Sequence, residues 1–93
     1  MPSRPLAYRV PFVLEREPAQ HLYRLTNTSA ETVHGVTFTL HGAGVMAISP
    51  PRVVRPQHGI EVTIAARASA ANTILVIRWF RPSGVEYLWR VAF

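Results

Sequence analysis

Apolar residues recur along this chain at every second position, and nowhere over a useful length at helical spacing. That is the period of a strand with one buried face, so the pattern predicts an all-β protein. The first set is Leu6, Tyr8, Val10, Phe12 and Leu14, alternating with Ala7, Arg9, Pro11, Val13 and Glu15. Pro11 has no N–H to give to a ladder, so this strand is expected at a sheet edge or broken at that residue. Residues 15–20 read as a polar turn around Pro18. In residues 21–27 Tyr23 and Leu25 point one way and Leu22, Arg24 and Thr26 the other; Asn27, Thr28 and Ser29 then start a turn, because such side chains bond their own backbone. Residues 33–41 set Val36, Phe38 and Leu40 against Thr37, Thr39 and His41, and Gly42-Ala43-Gly44 ends the run. A short strand over 45–48 follows. Pro50, Pro51 and Pro56 make the next segment extended but poor in ladder bonds. Ile60, Val62 and Ile64 alternate cleanly with Glu61, Thr63 and Ala65, and residues 66–71 fit a helical turn or a loop equally well.

The last two strands carry the most information. Residues 72–80 are apolar on both faces, and Arg78 breaks the tie by sending the even positions outward, which leaves Leu75, Ile77 and Trp79 as core. In the final strand Val85, Tyr87, Trp89, Val91 and Phe93 are expected to point inward, against Glu86, Leu88, Arg90 and Ala92. A two-residue loop would put these core residues opposite surface ones. A three-residue loop at Pro82-Ser83-Gly84 pairs Trp79 with Tyr87, Ile77 with Trp89 and Leu75 with Val91, all on one face. The turn chemistry agrees: proline suits the second position of a type I turn, and glycine supplies the left-handed residue of a bulged hairpin.

About seven short strands separated by turns, with a long hydrophobic closing hairpin, predict an all-β, two-sheet antiparallel sandwich over residues 1–93, residues 1–5 being flexible. The run Tyr23-Arg24-Leu25-Thr26-Asn27-Thr28-Ser29, the stretch from Ser49-Pro50-Pro51 to Val54-Arg55-Pro56, and Ile60-Glu61-Val62-Thr63-Ile64 resemble immunoglobulin-like and fibronectin type III-like domains, in pattern over residues 6–93. The resemblance implies an immunoglobulin-like sandwich. It implies no particular activity, since that fold serves many, and the cysteine pair of antibody domains is missing.

Composition narrows the chemistry. With 48% apolar and 16% charged residues the chain has enough to bury and too little charge to stay unfolded. It has no cysteine, which excludes a disulfide framework, a thiolate metal site and a cysteine nucleophile together. The start, Met1-Pro2-Ser3-Arg4-Pro5, lacks the apolar run of a signal peptide, and no stretch nears the roughly 18 apolar residues of a membrane helix. A soluble domain without a membrane span is expected, cytoplasmic if the chain is the full gene product. The net charge of +5 comes from arginines spread over the length with no run to line one groove, so nucleic acid is not the expected partner.

Side chains suited to catalysis or metal binding are present but not assembled. His34 and His41 are seven apart on one strand, and alternation puts them on opposite faces. With no Cys or Asp to complete a set, no metal and no cofactor is expected. Ser29, Ser49, Ser69 and Ser83 all sit in turn-like settings, none as Gly-x-Ser-x-Gly, and Gly42-Ala43-Gly44 is too short to cradle phosphate. The expectation is therefore not an enzyme.

What remains is surface. The hairpin's outward set, Ile74, Val76, Arg78 and Phe80 beside Glu86, Leu88, Arg90 and Ala92, is more apolar than a solvated face needs, and arginines among apolar side chains are typical of protein contacts. If the third strand neighbours the hairpin, Thr37, Thr39 and His41 extend it. The expected function is a non-catalytic module that binds another protein, a neighbouring domain or its own subunit as a homo-oligomer through Val76, Arg78, Phe80, Leu88, Arg90, Thr37, Thr39 and His41. A carbohydrate-binding or adhesin module is the alternative. It requires Trp79 or Trp89 to be exposed, whereas parity places both inside.

Overall fold

The computed structural model describes residues 8–17, 21–42, 44–46, 50–65 and 73–92. Within them the chain forms β1 (Phe12–Glu17), β2 (Leu22–Asn27), β3 (Val33–His41), β4 (Val45–Met46), β5 (Arg52–Val54), β6 (Gly59–Ala65), β7 (Ile74–Phe80) and β8 (Glu86–Ala92). They make two antiparallel four-stranded sheets, ordered β1-β2-β6-β4 and β5-β3-β7-β8, packed as a sandwich. The strand beyond the expected seven is β5. Prolines on both sides leave it only three residues, yet Val54 and Arg52 pair with Val33 and Val36 of β3.

Alternation builds the core as the pattern predicts. Tyr23 and Leu25 of β2, Ile60, Val62 and Ile64 of β6, and Leu75, Ile77 and Trp79 of β7 are all buried between the sheets. β1 begins immediately after Pro11 and is an edge strand, while the Pro11 carbonyl accepts the Thr28 N–H at 2.8 Å. The closing hairpin has the register derived above: Trp79 opposite Tyr87, Ile77 opposite Trp89, Leu75 opposite Val91. Its loop is tied by Gly84 N–H to the Arg81 carbonyl at 2.8 Å and Arg81 N–H to the Val85 carbonyl at 3.0 Å. Gly84 takes φ +87°, the left-handed conformation the bulge requires. Val85 departs from expectation. It closes the turn instead of joining the strand, and its side chain is 52% exposed.

β3 also departs from simple alternation. Val33 and Val36 are both buried although three residues apart, because Gly35, at φ +57°, is an extra residue in the ladder. The bulge reverses the parity, so His34, opposite Phe80, and His41, opposite Ile74, lie on the same side of the sheet, not on opposite faces. They are still on the order of 20 Å apart along the strand.

One end of the sandwich is held by a fully buried Asn27. Its Nδ2 donates to the carbonyls of Glu31 (2.8 Å) and Val54 (3.1 Å), and its Oδ1 accepts the Ser29 N–H (2.9 Å) and hydroxyl (2.7 Å). Its backbone N–H donates to the His58 carbonyl and its own carbonyl accepts the Gln57 N–H. The predicted Asx turn is there, and the same amide ties β2 to β5 across the two sheets. The expectations for residues 1–7, 18–20, 43, 47–49, 66–72 and 93 lie outside the described residues; Glu15, Arg16 and Glu17, expected in the turn around Pro18, instead continue β1.

Candidate protein-binding face

The outward face of the β5-β3-β7-β8 sheet is laid out in rows by strand register. Across β3, β7 and β8 the rows read Thr37–Arg78–Leu88, Thr39–Val76–Arg90 and His41–Ile74–Ala92, and beyond them Phe80 faces Glu86. All eight residues named from the sequence therefore share one face. Leu88 is 58% exposed, whereas Val76, Phe80 and Ile74 are partly covered by their neighbours. Arg78 and Arg90 are exposed, and Arg78 meets Glu86 at 3.7 Å. His41, Ile74, Val76 and Arg90 line a shallow hollow of about 150 Å³ near one end.

Gly35 shapes the other end of this face. A Cβ there would lie 2.9 Å from Phe80 Cδ2, so the absence of a side chain lets the Phe80 ring lie over β3. Parity alone assigned Phe80 outward; it did not show that a bulged glycine gives the ring its seat. Alternating with buried Val54 on β5, Val53 is 60% exposed.

Behind the face the aromatic residues form a packed cluster. Trp79 is 1% exposed, stacks on Tyr87 with ring centres 6.0 Å apart, and meets Phe12 edge-on at 5.0 Å. Its indole N–H donates to the Tyr8 hydroxyl at 3.3 Å, the partner a buried indole needs. The Arg81 guanidinium lies 4.2 Å from the Tyr8 ring centre and makes a forked pair with the Glu31 carboxylate at 3.0 and 3.1 Å. The Glu31 carboxylate, then the Tyr87 hydroxyl, raise the Arg81 pKa further above its ordinary value. Trp89 and Tyr87 are partly buried and pack against the core.

Two other surface hollows lie away from this face. Arg52, Arg55 and His58 come together around a recess of about 350 Å³ between β5 and the start of β6. These arginines look dispersed in sequence; the turn at Arg55, closed by His58 N–H to the Arg55 carbonyl at 3.1 Å, is what gathers them. On the far sheet, Glu15, Glu17, Leu22, Arg24 and Glu61 surround a dimple of about 70 Å³. The Ser29 hydroxyl is engaged with Asn27 and Glu31, and Ser83 Oγ accepts the Val85 N–H at 3.5 Å. Among the described residues no three His, Cys, Asp or Glu side chains gather as metal ligands do. Comparison with protein-family models, with curated proteins and with solved structures gave no significant match.

Proposed function

We propose that this chain is a non-catalytic, immunoglobulin-like module that binds another protein through the outward face of the β5-β3-β7-β8 sheet. The observation that carries the reading is the company Leu88 keeps. It stands exposed among Ile74, Val76 and Phe80, with Arg78 and Arg90 interleaved. Apolar side chains with arginines at such spacing are the composition of a contact patch. The immunoglobulin-like assignment is supported by sheet membership. With β1, β2, β6 and β4 taken as strands A, B, E and D, and β8, β7, β3 and β5 as G, F, C and C′, the two sheets have that order. One departure stands: the D-like β4 precedes the C′-like β5 in the chain.

A sugar platform built on Trp79 or Trp89 is less well supported, because the Trp79 ring lies under Tyr8 and Phe12 and Trp89 is partly buried against the core. The test uses a face substitution away from the sheet edge. Val76→Glu combined with Thr39→Glu should weaken binding to a protein that co-purifies with the chain at least about tenfold, or roughly 1.4 kcal/mol. Thr63→Glu on the far sheet should leave it unchanged. Equal binding by all three folded proteins overturns the reading.

A further inference from the structure

The four sheet edges are unequal. Among the described residues β4 shows only Val45 and Met46, β5 is three residues between prolines, and β1 carries Glu15-Arg16-Glu17 after Pro11. Short strands, charges and prolines are how sheet edges are kept from pairing. β8 has seven residues and no proline, and among the described residues no strand lies on its far side.

Register identifies which backbone groups are free there. The Arg81 N–H bonds the Val85 carbonyl, so the hydrogen-bonded pairs of the hairpin continue at Tyr87, Trp89 and Val91. The N–H and C=O groups of Glu86, Leu88, Arg90 and Ala92 consequently point away from β7. The Ala92 carbonyl does so visibly, accepting Arg16 from across the sandwich at 3.0 Å. That contact lies beyond Arg90, and among the described residues no strand covers the backbone of residues 86–90.

We propose that this edge pairs with a second copy of the chain, antiparallel about Leu88, joining two β5-β3-β7-β8 sheets into one continuous sheet. The argument is self-complementarity. In Glu86-Tyr87-Leu88-Trp89-Arg90 an acid and a base stand equally far from the central leucine, and an aromatic residue flanks it on each side. A two-fold axis at Leu88 sets each Glu86 opposite Arg90 of the second copy, Leu88 opposite Leu88, and each Tyr87 opposite Trp89. The free N–H and C=O groups of residues 86, 88 and 90 then meet as hydrogen-bonded pairs. Opposite charges and aromatic pairs facing across strands are both favourable, and the half-covered Tyr87 and Trp89 lose further exposure. Registers centred on Tyr87 or Trp89 keep the bonding parity but place Leu88 opposite a charged residue. Glu86 already meets Arg78 of its own chain and in the pair lies between two arginines. The edge shares Leu88 and Arg90 with the outward face but pairs through backbone groups at its rim. Thr39 and Val76 lie on the inner strands β3 and β7, so Val76→Glu with Thr39→Glu leaves this association in place while weakening the other about tenfold.

The test is a charge exchange followed by sedimentation or light scattering over a concentration series. Glu86→Arg and Arg90→Glu should each weaken self-association about tenfold, because each sets like charges opposite each other twice. Mixed in equal amounts, the two variants should recover the wild-type level, since every cross-pair is again acid against base. In the unsubstituted protein, hydrogen exchange at the Glu86, Leu88 and Arg90 amides should slow as concentration rises. A wild-type protein that stays monomeric at millimolar concentration, a mixture no stronger than its components, or exchange at these amides that ignores concentration overturns the proposal.

Discussion

The two outward faces of the sandwich are built from the same alternation and arrive at opposite chemistry. On the β1-β2-β6 side the register sets Glu15, Arg24 and Glu61 in one row, so the arginine has a carboxylate on each side; Leu22 beside it lies between Glu17 and Thr63. On the β3-β7-β8 side the same row position holds Thr37, Arg78 and Leu88, and Arg90 stands next to Val76. Three of the five glutamates therefore serve one face, while the other shows arginines against apolar carbon with Glu86 as its one acid among the described residues. A face whose charges are matched across its strands has little left to offer a partner. On the other face Arg78 meets Glu86 at 3.7 Å and Arg90 stands beside Val76, so charged and apolar side chains are presented together.

The harshest way to break the contrast is to remove what both sheets share. Asn27→Leu should cost about 4 kcal/mol in urea unfolding, because the Glu31 and Val54 carbonyls lose a donor and Ser29 loses its acceptor inside the fold. A loss below about 1 kcal/mol would mean that water replaces the amide. Next in size is the seat of Phe80. Gly35→Val should destabilise by about 3 kcal/mol, combining a β-branched residue at positive φ with a collision against the Phe80 ring. Gly84→Val, where nothing lies within 4 Å, should cost only the backbone strain, about 1–2 kcal/mol. Thermal unfolding of the two variants side by side reads that difference. The smallest effect isolates the faces themselves. Arg24→Glu, which sets a third carboxylate between Glu15 and Glu61, should cost about 1 kcal/mol and recover in high salt. Arg78→Glu, flanked across strands by Thr37 and Leu88 and facing a single exposed acid, Glu86 at 3.7 Å, should cost only about 0.5 kcal/mol. Equal losses would remove the electrostatic distinction between the sheets.

The pairing of the hairpin is legible in the sequence, because two long strands of opposite parity and a Pro-Ser-Gly loop constrain one another. A single register satisfies both; Val85, which closes the turn, is the residue that this reading misplaces. β3 is not legible, since an inserted residue leaves no trace in composition: Gly35 reads as an ordinary strand glycine until Val33 and Val36 are both found buried. That one residue moved His34 to the side of His41 and gave Phe80 its place. β5 was hidden for a different reason, as three residues between prolines show no period. The gathering of Arg52, Arg55 and His58 follows from the turn after it, so a dispersed list of arginines concealed a local cluster. The eight face residues were legible because alternation fixes sides; the hollow beside His41 was not, because it depends on how neighbouring strands close.

Asn27 has a consequence for how the two sheets come together. Its amide needs carbonyls from residues 31 and 54, and its backbone pairs with residues 57 and 58. Water can satisfy these groups while β1 and β2 stand apart, but burying them strips that water, and only the segment running from Val54 to His58 replaces it. One internal amide thereby makes the burial of the first sheet conditional on the correct seating of the second.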